Sequence, residues 1–163
     1  MLMRFSASGL AILLMAFTFG CATQQETDRH RARERVVDTT LIGIWTVKNA
    51  DLGGRPFSLP PSFELKINGT DYGTRDFNSG SRYTEVGTLF FFGDELAGEP
   101  RRIDVLGKEG PNKGKRIPAI YRVSDSGREF EICYDLDAKE RPTDFVSREG
   151  TMWLRVSYVR KPT

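Results

Sequence analysis

The sequence predicts an all-β antiparallel domain, and three observations predict it. Segments such as Phe130, Ile132, Tyr134, Leu136 and Phe63, Leu65, Ile67 place apolar residues at every second position, the period of a half-buried strand. Turn signals separate them, including Asn68-Gly69 and Ser124-Asp125-Ser126-Gly127. Sixteen Gly, eight Pro and eleven Phe lie among short apolar runs, with few long helix-forming stretches. The spacing of strands and turns suits an antiparallel barrel or sandwich. At 163 residues, with an N-terminal export segment set aside, the chain has length for one domain with a core.

Residues 1–21 are expected to be that export signal. Arg4 precedes an apolar run over residues 9–19 that is too short for a stable bilayer anchor, and Gly20-Cys21 ends it. Gly20-Cys21-Ala22 resembles the lipobox of bacterial lipoproteins, in which the cysteine is acylated and becomes the new N-terminus. Thr18 and Phe19 depart from that pattern, and plain cleavage after Ala22 is the alternative. Lipidation at Cys21 implies a membrane anchor, and the absence of an acidic residue at Ala22 implies the outer membrane. Plain cleavage implies a periplasmic or secreted protein. Residues 22–38 carry Arg29, Arg31, Arg33, Arg35 and His30, the only histidine, and lack apolar residues to offset the entropy of ordering. They are expected to be a polar linker, leaving residues 39–163 as the folded domain.

That domain opens with a strand over residues 41–47, placing Leu41, Gly43, Trp45 and Val47 on one face, with Gly43 allowing a close neighbour. Three prolines make residues 53–61 irregular. Residues 62–67 turn Phe63, Leu65 and Ile67 inward and Glu64 and Lys66 outward, with the Asn68-Gly69 turn next. Residues 71–82 read as a polar, Gly-rich return. Residues 83–92 form a strand ending in Leu89-Phe-Phe-Phe92, apolar on both faces and expected to pack in a core. A short strand over residues 101–106 carries Ile103 and Val105, and residues 109–115 form a turn. Residues 116–145 hold a hairpin about Gly127 followed by the extended connection Arg141-Pro-Thr-Asp-Phe145. Residues 151–160 close the chain with Met152, Leu154, Val156 and Tyr158 on one side. Cys133, out of phase with Phe130, Ile132 and Tyr134, is expected on the opposite sheet face as a small packing residue.

Leu41-Ile-Gly-Ile-Trp45, Pro100-Arg-Arg-Ile-Asp104, Gly110-Pro-Asn-Lys-Gly114, Ala119-Ile-Tyr121, Glu131-Ile-Cys133 and Arg141-Pro-Thr-Asp-Phe145 together resemble an uncharacterised family of exported proteins expanded in planctomycetes. The match runs over nearly all of residues 40–160 and departs at Ala119, where the family has Gly. The resemblance implies a lipocalin-like barrel of about eight strands, with Gly43, Trp45, Ile103, Asp104, Tyr121, Cys133, Arg141, Pro142 and Phe145 as its structural motif. It also implies an arginine near the C-terminus over Trp45, with Arg155 and Arg160 as candidates, and no activity. Arg141 and Asp104 are expected to lock a barrel corner, through strand-end carbonyls or an ion pair.

Composition and motif content exclude several chemistries. Lys and Arg number 24 against 22 Asp and Glu, which is no footprint for nucleic acid. One thiol and no histidine in the domain leave no ordinary zinc site, no Cys-His nucleophile and no triad, and no cofactor is expected. A phosphate-cradling Gly loop is absent as well. Two functions stand. The first is a non-enzymatic envelope protein whose barrel binds a small apolar ligand or a protein partner. The second is an envelope glycan hydrolase pairing two of Asp104, Glu131, Asp135 and Asp144.

Overall fold

A computed structural model describes residues 37–76, 78, 83–93 and 99–162. The export segment with Cys21, and the linker through Val36 with His30, lie outside the described residues. Among the described residues a short 3-10 turn (Thr39–Leu41) is followed by nine strands: β1 (Gly43–Leu52), β2 (Arg55–Pro56), β3 (Phe63–Asn68), β4 (Asp71–Asp76), β5 (Glu85–Phe91), β6 (Arg101–Glu109), β7 (Arg116–Val123), β8 (Glu129–Asp135) and β9 (Trp153–Arg160). Every neighbouring pair is antiparallel, and β1 pairs with both β3 and β9. The sheet therefore closes on itself as an eight-stranded lipocalin-like barrel, with β2 a two-residue spur on β1. Closure removes the exposed edges that an open sheet would present to other chains.

Period-two alternation sets the inner face. Trp45, Leu65, Ile67, Tyr72, Leu89, Phe91, Ile103, Val105, Ile117, Tyr121, Phe130, Ile132, Val156 and Tyr158 are buried together in one cluster. The hairpin of residues 116–135 turns as its sequence implies: Val123 faces Phe130, and Gly127 takes φ 67°.

Several elements differ from the expectations. The first strand is β1, which begins only at Gly43 and runs on to Leu52 rather than stopping at Val47. Its partner register skips Lys48 between Val47 and Asn49, a bulge that returns Ala50 and Leu52 to the inner face against Val156 and Leu154. The β3–β4 loop is Gly69-Thr70, one residue beyond Asn68-Gly69, because Asn68 pairs with Asp71. Gly69 at φ 62° supplies the first loop position, as a type II′ turn requires. Residues 71–76, expected as a polar return, form strand β4, whose buried Tyr72 points inward between β3 and β5. Glu64 does point outward, yet it is buried, clamped by Arg75 at 3.1 Å and by Lys161. Burial pushes its carboxyl up, but the hydrogen bonds and charges of Lys161 and Arg75 outweigh that and hold it below the usual carboxylate value.

Candidate functional site

The two ends of the barrel are built differently. One end gathers the 3-10 turn, the β3–β4 and β7–β8 turns and the end of β9, and it is closed. Trp45 is fully buried there, donates its indole N–H to the Leu41 carbonyl at 2.8 Å and meets Phe130 edge-on at 4.6 Å. Arg160, the last residue of β9, lies 4.1 Å over the Trp45 ring. Its guanidinium donates to the carbonyls of Gly127 at 2.9 Å, Ile42 at 2.6 Å and Thr40. A Cβ on Gly43 would stand 2.5 Å from Arg160 Nη1, so the close neighbour that glycine admits is this guanidinium. Arg155, the other candidate, points outward and pairs with Glu131 and Asp51. Asp38 ties the incoming chain to the same end by accepting from Tyr121 at 2.9 Å and from Arg101. Val37 and Asp38, the first described residues, therefore lie at the closed end.

The opposite end is open among the described residues. Beneath it lies a cavity of about 260 Å³, walled by Leu65, Ile67, Leu89, Ile103, Val105, Ile117, Ile132 and Val156, with Leu59, Phe63, Pro111, Leu136 and Leu154 toward its mouth. Apolar walls with a few convergent polar groups describe a small-molecule site. Two polar clusters, one of three residues and one of two, project into it. Glu85, on the inner face of β5, accepts from Tyr72 Oη at 2.8 Å and from Asn112 Nδ2 at 2.9 Å. The hydroxyls of Tyr134 and Tyr158 hydrogen-bond each other. Burial first, and then the Glu85 carboxylate beside it, push the Tyr72 hydroxyl far above its usual value, so it remains a donor at any physiological pH.

Two glycines make the Glu85 cluster possible. A Cβ at Gly87 would approach the Tyr72 ring to 2.5 Å and the Leu106 carbonyl to 2.1 Å, so only glycine lets that ring cross β5 toward Glu85. A Cβ at Gly110 would meet the Thr84 carbonyl at 2.4 Å and Glu85 Cα at 2.9 Å. The absence of a side chain there lets the β6–β7 turn fold back and deliver Asn112. A bulge between Val86 and Gly87 opens the strand pair at the same point.

The motif residues singled out in the sequence build the frame around this site. Only Ile103 among them lines the cavity. Asp104, outward on β6, is held between Arg116 and Arg141. Arg141 also donates to the carbonyls of Ile103 at 2.7 Å and Ala119 at 2.6 Å, stitching β6 to β7. The segment that follows β8 crosses the outer face of the sheet, covering a second small cluster of Ile120, Cys133 and Trp153 with Phe145 packed against it and Pro142 buried. Arg122 lies 4.4 Å over the Phe145 ring. Cys133 is on the outer sheet face, fully buried under this strap, and burial with the nearby Asp144 and Glu131 carboxylates pushes its thiol up to about 11. The Leu89-Phe-Phe-Phe92 run divides in the same way: Leu89 and Phe91 face the core, while Phe90 lies under Arg116 and Phe92 under Arg102 and Arg141.

The four carboxylates weighed as an acid and base pair lie outside the cavity. Asp104 and Glu131 each accept from two arginines, Asp144 accepts from Arg148, and Asp135 caps the turn after β8 by accepting from the amides of Asp137, Lys139 and Glu140. Among the described residues no group of three His, Cys, Asp or Glu side chains is placed to hold a metal ion. Glu85 and Asn112 were missed, although a signal existed. Counting back by twos from Phe91 and Leu89 places Glu85 on the inner face, an acidic residue where core was expected. Compared with known proteins, the chain matches no family model, no curated protein and no solved structure.

Proposed function

We propose that this is a non-enzymatic exported protein of the cell envelope, anchored through acylated Cys21, whose barrel holds a small apolar ligand. One observation carries the reading: the open cavity of about 260 Å³ with its apolar walls. A barrel of eight strands is wide enough to be filled by its own side chains or to hold one small molecule, and this one retains space. The compartment rests on residues 1–21 and on the resemblance to the exported planctomycete family. Native mass spectrometry of the full chain purified from membranes tests the ligand, with a reproducible apolar adduct expected and an adduct-free spectrum counting against it. Membrane fractionation of Cys21→Ala tests the anchor; unchanged retention in the membrane would defeat it.

A further inference from the structure

We infer that the cavity selects amphiphiles with a cationic or hydroxyl head and excludes carboxylate-headed ones, with Glu85 as the specificity-determining residue. This rests on the ligand-binding reading above and adds the class of ligand. Among the described residues that line the cavity, Glu85 carries the only charge, and no Lys or Arg stands with it. The strongest donors are turned toward Glu85 and no cation stands with them: Tyr72 Oη and one Asn112 N–H donate to the carboxylate, and the Tyr134 hydroxyl donates to Tyr158, which leaves an anionic head neutral donors alone. A second carboxylate brought to this cluster would meet a like charge in an apolar surround, where repulsion is little screened. An ammonium or a hydroxyl meets the reverse situation. A carboxylate has about four acceptor sites, and two of those on Glu85 are used, leaving capacity for a ligand donor. The bond so formed is charge-assisted for an ammonium and stronger than a neutral one.

Size narrows the class further. Scaled from the ~150 Å³ cavity that takes up benzene, 260 Å³ accommodates a ligand of about ten non-hydrogen atoms, so a long acyl chain would protrude from the mouth. The apolar part fits between Leu89, Ile103, Ile132 and Val156, with the head at the Glu85 level on the mouth side.

The test is isothermal titration of the full chain at pH 7 and fixed salt with three probes of one length: 1-octylamine, 1-octanol and octanoate. Octylamine and octanol are expected to bind, with octanoate at least tenfold weaker than octylamine. In Glu85→Gln the gap between octylamine and octanoate shrinks at least tenfold, while octanol, which can still donate to the amide oxygen, changes less than octylamine does. Asn112→Lys, in the β6–β7 turn at the cavity mouth, sets an ammonium against Glu85 and produces the same loss of preference. Equal binding of all three probes by the native chain would overturn the selectivity and leave the cavity reading standing. A preference that survives both substitutions would also overturn it. Failure of every probe to bind would instead bring down the ligand-binding reading itself.

Discussion

Replacing Arg160 by Ala should loosen the closed end at several points at once. The side chain joins three segments at once: the 3-10 turn through the Thr40 and Ile42 carbonyls, the β7–β8 turn through Gly127, and the buried Trp45 ring 4.1 Å below it. Hydrogen bonds from a charged donor contribute about 1.5–3 kcal/mol each when buried. These carbonyls are half-exposed and regain water once the guanidinium is gone, so about 0.5–1 kcal/mol each is the fitting figure. Contact with a tryptophan face that water does not reach adds about 1–2 kcal/mol. The released rotamer entropy of the arginine returns part of this. A net loss of about 3 kcal/mol is expected. With a urea m-value of about 1.5 kcal/mol/M, the unfolding midpoint should fall by about 2 M, and Tm by about 10 °C. Arg160→Lys keeps the charge but not the planar fork, and should recover about a third of the loss. Urea unfolding at constant m is the assay. An Arg160→Ala midpoint within about 0.3 M of the native value would refute the idea that this residue closes the barrel.

Further outcomes follow from the other clusters. Arg141→Ala removes the donor shared by the Ile103 and Ala119 carbonyls and one of the two cations on Asp104, and should cost about 2–3 kcal/mol in the same assay, with Asp104→Asn in the Arg141→Ala background adding less than it does alone. Glu64 has a folded value below its unfolded one, so its contribution is present above the ordinary carboxylate range and is lost as pH falls through the folded value. Glu64→Gln should therefore flatten the fall in stability between about pH 5 and pH 2, and an unchanged pH profile would contradict the clamp by Arg75 and Lys161. Cys133 should resist a thiol reagent at pH 8 in the native chain and react at once in denaturant, because it is fully buried with its thiol held up to about 11; fast native labelling would show that the strap opens.

Alternation alone carried the reading of the barrel wall. Phe63, Leu65, Ile67 and Phe130, Ile132, Tyr134 stand on the inner face because a strand has a period of two, and no partner is needed to know it. The same rule placed Cys133 outside. It failed where partners decide the outcome. The bulge at Lys48 is invisible until β9 is laid beside β1, and a strand that loses phase for one residue reads as a strand that has ended. Strand β4 is polar by composition and becomes a strand because its neighbours on both sides supply hydrogen bonds that no local sequence predicts. Glu64 is outward by phase and buried by ion pairing from residues 11 and 97 positions away.

Period and turn chemistry in the linear chain thus determined an antiparallel all-β body and which residues face its interior. Closure of β9 on β1, the split between a plugged end and an open one, and the meeting of Tyr72, Glu85 and Asn112 were decided only in three dimensions. The physical reason is range. Side-chain phase is a property of successive residues, whereas a cavity is the space left between residues brought together from β3 through β9, and its volume depends on how their side chains fail to fill the centre.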